Sequence, residues 1–287
     1  LIHKLEQESG VWFCMGGTGA LVDGLVRLFK DMGGRLMLDA EVKKIKIDPI
    51  SKRATGCVYG DGQFLPAECV VSNGDVAQTY MSLIDRQYRP SFTDRRIQKF
   101  DYSMSLFVVY FGTNRKYENM AHHEILMGPR YRELLTDIFE RKILADDFSL
   151  YLHRPTATDP SLAPAGHDCW YVLSPVPNLS GKIDWATAGP RYKQLIMNYL
   201  EQRYLPDLKK HVVTEFYIDP THFRDNLNSY LGSAFSIAPT LFQSAWFRPH
   251  NISKDIPNLY FTGAGTHPGA GLPGVISSGK IVSEMIQ

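Results

Sequence analysis

The sequence has almost no net charge: 31 basic and 30 acidic residues leave +1 over 287 residues. Nucleic-acid binding rests on a basic footprint, so that class of function is excluded as a leading reading. Long apolar runs are also missing. The longest is about six residues, Leu106 to Phe111, far short of the roughly 20 that cross a bilayer. Cysteine is scarce and scattered, with Cys14, Cys57, Cys69 and Cys169 forming no CxxC pair. This argues against a disulfide framework or a structural zinc site and fits a reducing, cytoplasmic setting. No G-x-S-x-G elbow, H-E-x-x-H or P-loop occurs, so hydrolase and NTPase readings lack a motif. His122-His123-Glu124 is the only histidine cluster. Adjacent side chains point apart in a strand, so no metal site is expected there.

What the chain has is 44% hydrophobic residues, ample for a core and about two domains by length. Leu1 to Ser9 reads as the end of a helix already under way, which suggests an incomplete amino terminus. Gly16-Gly17-Thr18 precedes apolar residues at helical spacing, Leu21, Leu25, Leu28, Phe29 and Met32, closed by Gly33-Gly34, with Thr18 as the expected N-cap. Short strands are expected near Leu36 and at 42–47, 55–59, 64–66 and 69–71. Further strands are expected at 102–111, 148–152, 170–173 and 212–217, with helices at 131–139 and 190–204. Aromatics are dense here and suit either an ordinary core or an apolar cavity.

The last 29 residues differ. Leu259 to Thr262 reads as a buried strand, Gly263 to Gly274 as a glycine-rich loop and Val275 to Ile286 as a helix, and six of the 23 glycines fall between Gly263 and Gly279. A strand, a bare loop and a helix in that order gather backbone N–H groups and the positive helix end at one spot, which suits an anion; a tight turn packing a helix on a sheet is the plainer alternative. Gly269 to Gly274 satisfies G-x-G-x-x-G, but only 13 residues follow. It is therefore not expected to open a dinucleotide-binding βαβ unit. His267, inside the loop, is read as a loop-holding residue.

The segment Gly263-Ala264-Gly265-Thr266-His267-Pro268-Gly269-Ala270-Gly271-Leu272-Pro273-Gly274-Val275 resembles the carboxyl-terminal signature of the bacterial phytoene desaturases. Val11 to Phe13 with Gly16 to Leu21, Gly128 to Leu134 and Ala245 to Asn251 support the likeness in the same order. The resemblance implies an α/β fold: the carboxyl-terminal portion of a two-domain FAD-dependent oxidoreductase, with a Rossmann-like flavin domain lacking its first βαβ unit and a mixed-sheet substrate domain. Residues 1–16 would end a substrate-domain segment, 17–87 and 244–287 would belong to the FAD-binding domain, and 88–243 to the substrate domain. Val42 is implied as a backbone partner for the adenine, although it could equally be plain strand core. Gly263, Ala264 and Gly265 would lie near the pyrophosphate and ribityl chain, and Gly271, Leu272, Pro273, Gly274 and Val275 along the isoalloxazine ring.

The implied activity is desaturation of phytoene towards lycopene by hydride transfer to FAD, with oxygen or a quinone as electron acceptor. Peripheral membrane contact is implied because the polyene dissolves only in lipid; residues 131–139 offer a candidate face, though an ordinary surface helix is the preferred reading. No catalytic side chain is assigned, and the fragment alone is expected to be inactive. Another carotenoid-pathway flavoenzyme, such as an isomerase or ketolase, and a non-catalytic lipid-binding flavin-like module remain alternatives. A soluble amine oxidase is disfavoured by Ala264, where such enzymes usually carry an acid.

Overall fold

The alternating pattern of the middle of the chain folds as a sheet whose two faces differ. In the computed structural model, which describes residues 2–286, helix α1 (Ile2–Ser9) leads to α2 (Gly17–Asp31). Strands β1 (Val42–Ile47), β2 (Ala54–Tyr59) and β3 (Gln63–Pro66) form an antiparallel three-stranded sheet. β4 (Val70–Ser72) pairs in parallel with the distant β10 (Leu259–Phe261). Between them lies a five-stranded sheet, order β6-β7-β8-β5-β9, from β5 (Ser105–Thr113), β6 (His123–Leu126), β7 (Leu150–His153), β8 (Asp168–Val176) and β9 (Val212–Ile218). The long helices α3 (Trp185–Arg203) and α4 (Leu272–Ile286) complete the framework.

Within the five-stranded sheet every pair is antiparallel, and among the described residues parallel pairing occurs between β4 and β10. β5 begins at Ser105 because Tyr102 makes only an isolated bridge to Ile237. No strand forms near Leu36. β6 was not anticipated, because its histidine-rich sequence carries no strong β signal. Thr18 is not the N-cap of α2: the cap is left-handed Gly16, two residues earlier, with no side-chain cap. α3 starts before residue 190 because Asp184 accepts from the Ala186 N–H at 3.2 Å, and Pro190 sits inside it. Short helical turns fill the rest; the turn at Tyr131–Thr136 buries Leu134 and is followed by buried Ile138, so its apolar side faces inward.

Two main cores result. One joins Phe107, Val109, Phe111, Trp170 and Val172 of the sheet to Tyr192, Ile196 and Leu200 of α3. The helix can sit this close because Gly189 lacks the Cβ that would stand 2.8 Å from the Tyr217 hydroxyl. The other gathers Ile45, Ala54, Val70, Val76, Tyr80, Ile237, Leu259 and Phe261, residues far apart in sequence. α2 is different: its apolar stripe, including Leu25, Leu28 and Phe29, is left uncovered by the described residues.

A buried ion pair fixes one end of the sheet. Asp168 accepts from Arg154 Nε at 3.0 Å, from the Tyr117 N–H at 3.0 Å and from Thr156 Oγ1 at 2.7 Å, while Arg154 also donates to the Met120 carbonyl. Both side chains are shielded from water, so loss of one strands the other. Asp168→Asn is expected to lower the unfolding free energy by about 3–5 kcal/mol, read as a lower urea midpoint at unchanged slope. An unmoved midpoint would contradict the assignment.

Candidate functional site

The parallel pairing of β4 with β10 brings two loops together at the carboxyl ends of the strands, where ligands bind in α/β sheets. Leu259, Tyr260 and Phe261 stand opposite Val70, Val71 and Ser72. Beyond them the Thr262 N–H donates to the Ser72 carbonyl at 2.9 Å, and Thr262 Oγ1 to Asn73 Oδ1 at 3.1 Å. Gly263 follows with φ +96°, and a Cβ there would lie 2.7 Å from Asn73 Oδ1. At Gly265 a Cβ would press on Val76 and Ser236, each at 2.8 Å, and at Gly274 on the Gly269 carbonyl at 2.6 Å. Three of the loop glycines are therefore required by the protein's own packing.

Arg248 holds this loop from beneath. Its buried guanidinium donates to the carbonyls of Thr266, Ile237, Gln243 and Ala264. Asn251 Nδ2 adds bonds to the Phe261 and His267 carbonyls at 3.1 and 2.9 Å. The Gly263 N–H is consumed internally by Ser278 Oγ of α4 at 2.8 Å. The N–H groups of Ala264 and Gly265, like those of Gly269, Ala270 and Gly271 further along, meet no acceptor among the described residues, so they are among the loop's free donors for an anion. Gly271, with open space around its Cβ position, and exposed Leu272 and Pro273 begin α4, while Gly274 and Val275 are half-buried.

Val42 lines a cleft of about 510 Å³ with Glu41, Lys43, the loop Ser72 to Asp75 and Thr79. Asn73 is the link to the glycine loop, because it lines this cleft while its Oδ1 stands against the Gly263 turn, within the connecting segment Ser72-Asn73-Gly74-Asp75. Gly263, Ala264, Gly265 and residues 271–275 do not themselves line that cleft. The connecting segment was missed in the sequence, although an apolar Val70-Val71 run followed by turn formers and a helix-capping Asp is a readable signal. Asp75 caps the next turn, accepting from the Gln78 N–H at 3.0 Å, and also accepts from Ser236 Oγ at 2.7 Å. Burial pushes its carboxyl up from the ordinary value despite these bonds.

The second feature is the face of the five-stranded sheet turned away from α3. His123, His153, Tyr171, Tyr110 and Phe216 stand opposite one another in register, one on each strand. Their rings are 4.9, 4.6, 5.7 and 4.9 Å apart in that order. This aromatic row spans about 19 Å by strand spacing. Two residues along lies a parallel row, Ile125, Tyr151, Leu173, Val108 and Ile218. Burial pushes the phenols of Tyr110 and Tyr171 up, so both stay neutral. The aromatics expected to be either core or cavity lining divide by strand alternation: Phe107, Phe111 and Trp170 are core, whereas Tyr110, Tyr151, Tyr171 and Phe216 form the open face.

At the row's outer end the fold adds a third histidine, His153, to His122 and His123. Burial, then the neighbouring imidazoles, depress the His153 pKa to about 4, and burial with His123 also lowers that of His122.

Sequence comparison places these features. The profile described as flavin containing amine oxidoreductase matches residues 1–287. The chain belongs to that family. It is 50% identical over 287 residues to a lycopene-forming phytoene desaturase of Pseudescherichia vulneris, covering all of this chain and 58% of the relative. It is 48% identical to a lycopene-forming enzyme of Pantoea ananas and 44% to a neurosporene-forming phytoene desaturase of Rhodobacter capsulatus. The chain spans a little over half the length of these curated relatives. Among solved structures, an oxidoreductase from Methanosarcina mazei aligns with TM-score 0.64 at 18% identity, over 95% of this chain and 55% of the other. A putrescine oxidase variant aligns with TM-score 0.59 at 12% identity, over 95% and 53%. These two likenesses show the fold alone. The resemblance read from the sequence, an oxidoreductase assignment and FAD as the cofactor all agree with the family. The orphaned Ala264 and Gly265 donors beside an adjoining cleft are compatible with a phosphate-bearing flavin.

Two outcomes follow. Gly263→Ala is strained by its positive φ and by Asn73, costing about 1–3 kcal/mol, and flavin bound per chain of the full-length protein should fall. Adding Asn73→Ala should restore part of the loss; strictly additive effects would contradict the contact. For His153 the unfolded state binds more protons between its ordinary pKa of about 6.5 and the folded value of about 4. Stability contributed by the neutral ring is complete above that window and is lost as pH falls through it. His153→Gln should flatten the acid limb of a stability–pH curve over that window, and an unchanged limb would exclude the effect.

Proposed function

We propose that this chain is part of an FAD-dependent desaturase that converts phytoene towards lycopene, with hydride transferred from the polyene to the flavin. The observation that carries this reading is the apolar, aromatic open face of the five-stranded sheet, in a chain 50% identical to a lycopene-forming phytoene desaturase. FAD, when bound, supplies the two-electron acceptor that amino-acid side chains lack. The protein's task is to align one saturated bond of a long hydrocarbon and to exclude water. Neutral rings of Tyr110, Tyr171 and Phe216, flanked by half-buried Leu173, offer dispersion contact along such a chain without an unpaired charge, whereas Val108 is buried in a small cluster with Phe223.

In this reading residues 17–87 and 244–287 build the flavin half. The core that joins Ile45, Val70, Leu259 and Phe261 links these two stretches, and it also takes in Phe92, Ile97, Tyr102 and Ile237 from the adjoining stretch. Residues 88–243 form the substrate half around the five-stranded sheet, and residues 1–16 end a substrate-domain segment. Val42 contacts the adenine side, Ala264 and Gly265 present N–H groups to the pyrophosphate, Gly263 shapes the turn, and Gly271, Leu272, Pro273, Gly274 and Val275 pass the ring. The Gly263 N–H, already bonded to Ser278, is not among the donors. The reading includes peripheral contact with a lipid surface, which a lipid-soluble substrate requires, and oxygen or a quinone as final acceptor. No helix among the described residues is long and apolar enough to cross a membrane.

The test uses the full-length protein with FAD and phytoene-loaded liposomes. Anaerobic bleaching of the flavin by phytoene, with product spectra moving to longer wavelength, is the expected result. Tyr171→Ala should raise the phytoene KM or lower kcat at least tenfold with flavin content unchanged. A colourless protein, or flavin that phytoene leaves oxidised, would refute the desaturase reading.

A further inference from the structure

We propose that His122, His123 and His153 form a binding site for one divalent transition-metal ion of the zinc class, at the outer edge of the five-stranded sheet. One ligand nitrogen from each lies within 4.8 Å of the others. His123 Nδ1 and His153 Nδ1 are 3.2 Å apart. Two nitrogens at 2.0–2.1 Å from a tetrahedral ion are separated by about 3.3–3.4 Å, so these two rings already stand close to the required spacing.

The objection that neighbouring residues diverge does not hold here. His123 lies within β6, directly opposite His153 of β7, so the antiparallel register presents both to one face. His122 precedes the strand and escapes its alternation. Its ring stacks on that of His123 at 4.1 Å and packs edge-on against His153 at 4.8 Å. His122 Nδ1 bonds Thr158 Oγ1, while its Nε2 is buried and has no hydrogen-bond partner. A ring anchored through one nitrogen, with the other free and shielded, is the arrangement metal-ligating histidines adopt. The Tyr151 hydroxyl, 2.6 Å from His123 Nδ1 and 3.1 Å from His153 Nδ1, borders the same space.

The donor set selects the ion. Three imidazoles without a carboxylate suit Zn²⁺, Cu²⁺ or Ni²⁺, whereas Ca²⁺ and Mg²⁺ require oxygen. An ion here would tie edge strand β6 to β7 and to the Thr158 segment. Through that segment it would also brace the amino-terminal stretch, because Phe13 packs on His122 at 4.7 Å and the Gly16 N–H donates to Asp159 at 2.7 Å. The inference is independent of the desaturase reading.

Equilibrium dialysis of the full-length, chelator-stripped protein against Zn²⁺ tests it, with Co²⁺ as a spectroscopic substitute. Wild type should take up one Zn²⁺ per chain in this site, and bound Co²⁺ should show visible ligand-field bands. His153→Gln and His123→Gln should each weaken binding at least tenfold and erase those bands. His123 is exposed, so its variant is expected to fold even if the other does not. His211→Gln, altering a histidine bonded to Asn114 far from the cluster in the fold, should leave binding unchanged. Absence of stoichiometric uptake by wild type, or uptake by His123→Gln equal to wild type, overturns the proposal.

Discussion

A guanidinium buried without a carboxylate is the constraint on which the carboxyl-terminal site depends. Arg248 makes no ion pair among the described residues; its charge is dispersed over four backbone carbonyls from three separate segments. Burial alone presses its pKa down, and the carbonyl dipoles offset the desolvation that would otherwise make the position untenable. The geometry fixes where Ala264 and Thr266 must sit, and hence where the loop can expose its remaining N–H groups. Asn251 and Asn258 perform the same service with neutral amides, the latter bridging Ala54, Glu68 and the β10 entrance. A loop so rich in glycine has little stiffness of its own. Its shape is imposed by side chains outside it, Arg248 and Asn251 before it and Ser278 after it.

The five-stranded sheet shows a comparable division of labour. One face meets α3 in a close-packed core whose aromatic rings are shielded from water. The other leaves a transverse line of rings half-buried, and the two cannot be exchanged because side chains alternate strictly along each strand. A slip of one residue in β5 would move Tyr110 into the core and Phe111 out of it. The buried Arg154–Asp168 pair, which stands at the beginning of β8 and just after β7, opposes such a slip. The structural ion pair and the functional face are therefore linked through register.

Much of this was legible in the residues. Apolar runs bounded by Gly, Asp and Pro located most strands to within a few positions, because burial and turn chemistry are local signals. The glycine signature and its neighbours pointed to a flavin family, and the profile match agrees. Other features were not legible for identifiable reasons. β6 opens with His123 and Glu124 and has Ile125 as its one β-branched residue, and it is a strand because β7 pairs with it. The segment Ser72 to Asp75 looked like an ordinary turn, since its importance comes from β10, nearly two hundred residues later in the chain. His153 could not be joined to His122 and His123 by spacing, because antiparallel pairing across a long connection sets that contact.

The sequence by itself determined where the chain bends, which stretches bury apolar surface and which family's signature closes it, because those depend on side-chain volume, polarity and backbone freedom over a few residues. The tertiary structure alone decided which glycine N–H groups remain available, which aromatics are core and which form an open row, and which histidines meet. Each of those outcomes depends on which strand lies beside which, and cross-strand distances of a few ångströms have no counterpart in sequence separation.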